Sequence, residues 1–577
     1  MQVRIKRRAE QPATDLPDDI HPIIKRVLAG RKINTLSEFQ YNLDGLLSFE
    51  SLANIEAAVT LLEQAIQQQK KILIVADFDT DGATSCALAM RGLKLLGARD
   101  VHYLVPNRFE YGYGLSPEIV EIACQQKPDI IITVDNGIAS IEGVRAAREK
   151  HIDVLITDHH LPGSELPAAN VIVNPNQPDD RFPSKNLAGV GVMFYILIAL
   201  RSHLRAINWF AENGQPEPNL GVLLDLVALG TVADVVPLDR NNRILVAQGL
   251  ARIRNGKCCP GIRELLRIAN RSIKNISAQD LSFTVAPRLN AAGRLTDMSL
   301  GIECLLADDI QLAKTYADQL DQLNQERRTI QTEMTEQALT ELDSLVSTSE
   351  DKLPNGLCLF KEDWHQGIVG IIASRIKDNV HRPVIAFARD RDNYIKGSAR
   401  SVKGIHIRDV LDTVANRNPG LIEKFGGHAM AAGLSLREDL LPEFRELFDA
   451  TVTQFMPEEN WGQVLISDGE LGSDDFNISL AQTIANFGPW GQGFPEPVFD
   501  GKFRLVESKI VAEKHLKLQL QLHNQAKTVE AIAFNTTGSH WPDSVEMVNT
   551  LYRLDINEFA GRRRLQLVID FIEPVSA

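Results

Sequence analysis

Residues 72–85 read ILIVADFDTDGATS, an apolar run that passes directly into carboxylates at alternate positions, Asp77, Asp79 and Asp81. Alternate side chains of an extended segment share a face, so the three acids would stand about 6–7 Å from one to the next on one edge. Such a cluster repels itself unless cations or protons neutralise it. A solvated acidic turn between a strand and a helix would give the same pattern, so the remainder of the chain has to decide.

From 72 to 173 short apolar runs alternate with amphipathic stretches: ILIVA, VHYLV, IIITV, VLIT and VIVNP are separated by helix-length segments. This order predicts βαβ units and a parallel sheet. Asp77 follows the first run, Asp135 the third, and Asp158, His159 and His160 the fourth. In an open parallel sheet such positions lie at the carboxyl ends of strands, where these folds bind ligands.

Further on, NLGVLLDLVALGTVADVVPL (219–238) reads as an apolar helix that ends at Gly230 and presents Asp234 just beyond. Residues 302–353 contain neither Gly nor Pro and keep helical periodicity, which predicts one long connecting helix. A second α/β unit runs to about 455. HLKLQLQLH (515–523) and RRLQLVIDF (563–571) alternate with period two and predict antiparallel strands, a small barrel. The expected architecture is therefore α/β: an N-terminal segment (1–45), a parallel-sheet domain (46–300), a long helix (301–350), a second α/β domain (351–459) and a C-terminal β-barrel (460–577).

The 577 residues, 44% hydrophobic and 24% charged, have ordinary globular composition. No leader-like apolar segment follows the basic N-terminus, and the longest apolar run, VGVMFYILIAL (190–200), is shorter than a membrane span needs. A cytoplasmic location without membrane attachment is expected. The six cysteines show no metal-binding spacing and read as reduced thiols. A net charge of −14 argues against a general nucleic-acid coat but permits a local basic groove; the run Arg391, Lys396, Arg400, Lys403, Arg408 supplies candidate phosphate contacts or a plain solvated face.

Asp77, Asp79, Asp81, Asp135, His159 and Asp234 together offer five carboxylates and an imidazole, a mix suited to two divalent ions such as Mn2+ or Mg2+. Two such cations sharing a carboxylate can activate a water and clamp the oxygens of a phosphoryl displacement. For Asp135 alone, a turn at Asp-Asn-Gly is an equally good reading.

These residues carry a resemblance. DFDTDG (77–82), VDNG (134–137), TDHH (157–160) and GTVADVVP (230–237) resemble the successive motifs of the DHH phosphoesterase superfamily, and GSARS (397–401) with FGGHAMAAG (425–433) resembles its DHH-associated domain. PNRFEYGYG (106–114), PRLNAAGR (287–294) and WHQGIVGIIASR (364–375) are similar to its branch of bacterial single-strand-specific 5′-to-3′ exonucleases. The resemblance implies metal ligation by Asp79, Asp81, Asp135, His159 and Asp234, with Asp77 joining where Val75 replaces a histidine ligand found in other branches. It implies a catalytic or charge-stabilising His160, with Asp158 in the same catalytic motif. It implies a 5′-phosphate pocket of Arg108, Ser398 and Arg400, a base stacked on Tyr113, and an OB-like C-terminal domain that tracks single-stranded DNA.

Arg288, Asn290 and Arg294 either contact the strand or bridge domains, and His428 of the GGH turn either approaches a phosphate or packs. The implied activity is release of mononucleotides from the 5′ end of single-stranded DNA in recombination and repair. The implied partners are a single-strand-binding protein and a RecQ-type helicase, and the enzyme is expected to be a monomer. Two other functions fit parts of the pattern: a DHH phosphodiesterase for short oligonucleotides or cyclic dinucleotides, and a non-catalytic single-strand-binding scaffold.

Overall fold

All five side chains of Ile72–Ala76 are buried, as a strand covered on both faces requires. The computed structural model describes residues 3–9, 16–107, 109–111, 113–348, 353–391, 393–456, 463–512, 515–522, 527–534, 536, 545–559 and 562–575. After a short strand β1 (Val3–Arg7), the runs read from sequence become β2 (Ile72–Ala76), β3 (Val101–Leu104), β4 (Ile130–Val134), β5 (Asp153–Thr157) and β6 (Val171–Val173). They form one parallel sheet in the order β3-β2-β4-β5-β6. The chain steps outward from β2 to β3 and then crosses back to β4, so the strand order reverses between β2 and β4. That reversal is the switch point at which open α/β sheets form their ligand crevice, and Asp77 and Asp135 leave these two strands.

The chain divides into two compact units, one of Met1–Leu104, Gly114–Ala286 and Trp461–Ala577, the other of Val105–Tyr113 and Pro287–Asn460. The parallel sheet and the C-terminal barrel thus share the first unit. Helix α1 (Thr80–Leu95) follows β2, α2 (Gly189–Ala206) packs on it, and α3 (Leu224–Ala233) packs on both. Of the helices described, α2 is long and apolar enough to cross a membrane, but 67% of it is buried inside the fold, as befits a core helix. Helix α3 does not stop at Gly230. It continues to Ala233, because Gly230 is a contact point: a Cβ there would lie 2.3 Å from Thr84 Oγ1 and 2.8 Å from Asp81 Oδ1.

In the second unit, β7 (Leu357–Phe360), β8 (Val384–Arg391), β9 (Tyr394–Arg400), β10 (Lys424–Gly427) and β11 (Ala431–Arg437) form a mixed sheet in the order β10-β11-β9-β8-β7. The long helix is interrupted. A helix at Ser299–Leu306 ends before α4 (Ile310–Thr348) begins, and Asp309 Oδ1 caps the new start by accepting from the N–H groups of Gln311 and Leu312. One face of α4 packs on α5 (Val369–Val380) around Met334, Ala338, Ile368 and Ile372.

Returning to the first unit, β12 (Gln463–Ser467) pairs with β1 in parallel, and β13 (Phe499–Val511), β14 (His515–Gln521), β15 (Thr528–Ala533), β16 (Met547–Phe559) and β17 (Arg562–Pro574) close a barrel. The barrel is antiparallel except where β15 meets β17. Arginines tie the N-terminal segment to this region: Arg7 grips Asp500, and Arg31 forks Asp468 at 2.8 and 2.9 Å while lying over Trp490. Trp490 is a buried core residue that donates to the Ile484 carbonyl. Trp541 lies outside the described residues. All six cysteines are free thiols.

Candidate metal centre

The carboxylates that follow β2 are aimed by the start of α1. Asp79 is its N-cap and accepts from the Gly82 N–H at 3.1 Å. Gly82 has to be glycine, since a Cβ would sit 2.4 Å from the Asp77 carbonyl oxygen. Asp81, only 1% exposed, points the other way, into the N-terminus of α2: its oxygens accept from the Gly189 N–H at 2.6 Å and the Val190 N–H at 3.0 Å. A helix N-terminus favours the charged carboxylate there.

Asp135 leaves β4 with a left-handed backbone, φ +60°. Beside it, the Asn136 side chain donates to the Val75 and Val134 carbonyls and ties the ends of β2 and β4 together. After β5, the Asp158 carboxylate accepts from the backbone of His159 and His160 and from Ile138 N–H, and its Oδ1 lies 2.7 Å from His160 Nδ1. Asn174 and Asn176, past β6, hold the carbonyls of His160 and His159. The two imidazoles are thereby placed from behind by backbone contacts.

These elements bring all six predicted ligands together. Ligand atoms of Asp77, Asp79 and Asp135 lie within 4.8 Å of one another, as do those of Asp81, His159 and Asp234, and those of Asp135, His159 and His160. His159 Nε2 is 3.1 Å from Asp135 Oδ1, 3.5 Å from Asp234 Oδ2 and 4.0 Å from Asp81 Oδ2. Two carboxylate-rich groupings therefore adjoin, with Asp135 between them.

The electrostatics separate the two histidines. Burial and the charge of its neighbour His160 push His159 down to about 4, so at neutral pH it presents a neutral imidazole nitrogen to three carboxylates and is not the cation of an ion pair. Burial also works against charge on His160, but the hydrogen bond and charge of Asp158, with Asp234 and Asp77, outweigh it and raise His160 to about 9. Asp158 is held below the usual carboxylate range: its burial is overcome by the His160 hydrogen bond and charge and by the Ile138 N–H. Burial and Asp79 lift Asp81 to about 7 against the two N–H groups of α2. Burial and the surrounding acids, Asp81 foremost, hold Asp135 and Asp234 well above the ordinary range. Carboxylates crowded until they hold protons, around an uncharged imidazole, form a donor set that divalent cations would relieve.

The remaining predicted residues fall in the second unit. Ser398 and Arg400 lie two apart on β9, with Arg400 Nη1 at 3.0 Å from Ser398 Oγ. Burial lowers the pKa of Arg400. Arg108 lies outside the described residues. Tyr113 is 49% exposed. Arg288 is buried and paired with Asp321 at 2.8 Å, and Arg294 donates to the Gly367 carbonyl. Asn290 sits on the same helix, Ala286–Leu295. His428 is in the β10–β11 turn, where Gly427 adopts φ +142°.

Comparison with known proteins gives the family. Residues 71–231 match the model of the DHH family N-terminal domain, 353–454 the DHHA1 domain and 467–570 the RecJ OB domain. The chain is 52% identical over 570 residues to the single-stranded-DNA-specific exonuclease RecJ of Dickeya dadantii, covering 99% of each chain. It is 49% identical over 575 residues to that of Escherichia coli, covering 100% of both. The chain belongs to the RecJ family. A crystal structure of RecJ in complex with Mn2+ from Thermus thermophilus superposes with a TM-score of 0.82 at 29% identity, covering 100% of this chain and 80% of that one; a Mg2+ complex from the same organism gives 0.76 at 27%.

Several residues that build the centre of this RecJ-family chain carry no sequence signal of their own. Gly189 fits so closely that a Cβ would lie 2.6 Å from Asp135 Cβ. Val235, directly after Asp234, has φ +62°, a costly conformation for a β-branched residue. Asn174 and Asn176 belong to VIVNPNQ, which reads only as a strand end.

Proposed function

We propose that the chain is a two-metal exonuclease that degrades single-stranded DNA from the 5′ end to mononucleotides, in recombination and repair. The observation that supports it most is the pair of adjoining ligand groupings at the sheet's switch point, with Asp135 between them. In this reading Asp77, Asp79 and Asp135 hold one ion, and Asp81, His159 and Asp234 with Asp135 hold the other. Bound Mn2+ or Mg2+ would supply Lewis acidity toward the scissile phosphate and an acidified water. His160, protonated at neutral pH and fixed by Asp158, presents a positive charge to the phosphate oxygens.

Polarity needs a stop at one end of the strand. Arg108, Ser398 and Arg400 are assigned to it, because a terminal phosphate offers more charge and more free oxygens to a guanidinium fork than an internal diester does. The exposed ring of Tyr113 stacks a base without regard to sequence. Asn290 and His428 contact the strand. Arg288 and Arg294, already engaged with Asp321 and the Gly367 carbonyl, serve the strand by positioning their helix. The barrel is assigned to binding of the single strand. The enzyme works in the cytoplasm as a monomer, alongside a single-strand-binding protein and a RecQ-type helicase.

The test compares single-stranded and duplex DNA, labelled at either end, with Mn2+ added. Mononucleotides released first from the 5′ end of the single strand are expected. Hydrolysis confined to dinucleotides or cyclic dinucleotides would replace this reading with that of a short-oligonucleotide phosphodiesterase, and binding without cleavage would replace it with a scaffold.

A further inference from the structure

Helix α4 carries a guanidinium with no acid beside it among the described residues. Arg327 Nη1 donates to Gln331 Oε1 at 2.7 Å and Nη2 to Asn324 Oδ1 at 2.8 Å. Both acceptors are almost fully buried, Asn324 at 1% and Gln331 at 4% exposure, so the fork is clamped from one turn before and one turn after on the same helix. Two buried donors remain, Arg327 Nε and Asn324 Nδ2, neither with a hydrogen-bond partner among the described residues. The charges that act on Arg327 have its own sign: burial first, then Arg328 and Arg375, lower its pKa, and no acid opposes them. Arg328 and Arg375 are themselves exposed.

Arg288 shows the contrast within the same unit. Its buried guanidinium meets Asp321 at 2.8 Å, the usual provision for a buried cation. Arg327 has instead a neutral frame and two further cations nearby. Its plane is held in one orientation beside those cations, and oriented guanidiniums suit phosphate oxygens.

We propose that Arg327, framed by Asn324 and Gln331 and joined by Arg328 and Arg375, forms a binding subsite for an internal phosphodiester of the substrate strand, distinct from the Ser398–Arg400 pair. The subsite rests on the exonuclease reading above and extends it to nucleotides beyond the terminal phosphate. Helix α5 connects the two places. Gly370 in its first turn is packed so closely that a Cβ would be 2.9 Å from Arg400 Nη2 and 3.0 Å from Ser398 Oγ, and Arg375 follows five residues later, about 7.5 Å along the axis.

The experiment measures kcat/KM with Mn2+ on a 5′-phosphorylated dinucleotide and on a 5′-phosphorylated 12-mer, over a range of salt, for wild type, Arg327→Gln and Arg375→Gln. Arg327→Gln should lose about tenfold on the 12-mer, through KM, and less than twofold on the dinucleotide. Its log-log salt slope on the 12-mer should become shallower by about 0.7, the value for one phosphate contact on a single strand. Arg375→Gln is exposed and leaves the packing intact, and should lose about threefold in the same direction. Equal losses on the two substrates, or an unchanged salt slope in both variants, would overturn the subsite while the exonuclease reading stood. A wild-type enzyme that cleaves neither substrate would overturn both.

Discussion

Replacing Gly189 with alanine probes how tightly the centre is built. The added methyl would lie 2.6 Å from Asp135 Cβ, 2.9 Å from its Cα and 2.8 Å from Oδ1. Carbon atoms prefer about 3.5–4.0 Å, so something must move by roughly 1 Å. Asp135 is held in a left-handed backbone at the end of β4, and the Gly189 N–H is bonded to Asp81. Movement on either side therefore displaces a carboxylate of the centre. A 1 Å misplacement costs about 10²-fold in rate, and overpacking costs about 1–3 kcal/mol in stability. The assay is kcat/KM on a 5′-phosphorylated strand at saturating Mn2+, with thermal melting to separate the two effects. Gly191→Ala, two residues on in α2, is the control: its methyl would meet a Leu187 side-chain carbon at 3.1 Å, which can yield. Turnover of Gly189→Ala within threefold of wild type, with unchanged Mn2+ affinity, would refute the claim that Gly189 sets the position of Asp135 and Asp81.

Asp234→Asn should abolish hydrolysis without lowering the melting temperature of the metal-free protein, because it removes one of the mutually repelling buried acids; a destabilised or active variant would contradict this. Metal-free protein should lose stability as pH rises from about 6.5 to 9, as melting curves in chelator would record. His160, raised to about 9, binds its proton more tightly in the folded state, so its contribution is present below about pH 6.5 and disappears as pH passes through 9, while that of Asp81, raised to about 7, is lost earlier, between about pH 4 and 7. His159, lowered to about 4, acts in the opposite sense, but its contribution is complete by about pH 6.5. Excess Mn2+ should abolish the decline. Arg400→Ala should reduce kcat/KM on 5′-phosphorylated strands about 10- to 100-fold and on 5′-hydroxyl strands much less; equal losses would remove it from the 5′-phosphate pocket.

The parallel sheet was legible because its strands are continuous apolar runs, and Asp77, Asp135 and His159 were legible because they follow the ends of β2, β4 and β5, whereas Asp79 and Asp81 stand at the start of α1 and Asp234 just past α3. What escaped is contact between residues distant in sequence. Gly230 reads as a helix stop, yet it lies inside α3 because Asp81 and Thr84 leave no room for a side chain. The break before α4 contains neither Gly nor Pro, and Asp309 starts the new helix by capping alone. Arg288 lies in a stretch read only by resemblance, and its acid, Asp321, is 33 residues away. The same blindness hides the frame around Arg327, since an arginine in a polar helix reads as a solvated face.

The most direct test is the number of Mn2+ ions bound per chain, by equilibrium dialysis with metal analysis, in wild type and in Asp135→Ala. The wild-type protein should bind two ions, and Asp135→Ala should weaken both together, since the carboxylate lies between the two groupings. A wild type that binds one ion or none, or an Asp135→Ala protein that still binds two with undiminished affinity, would contradict the two-metal centre.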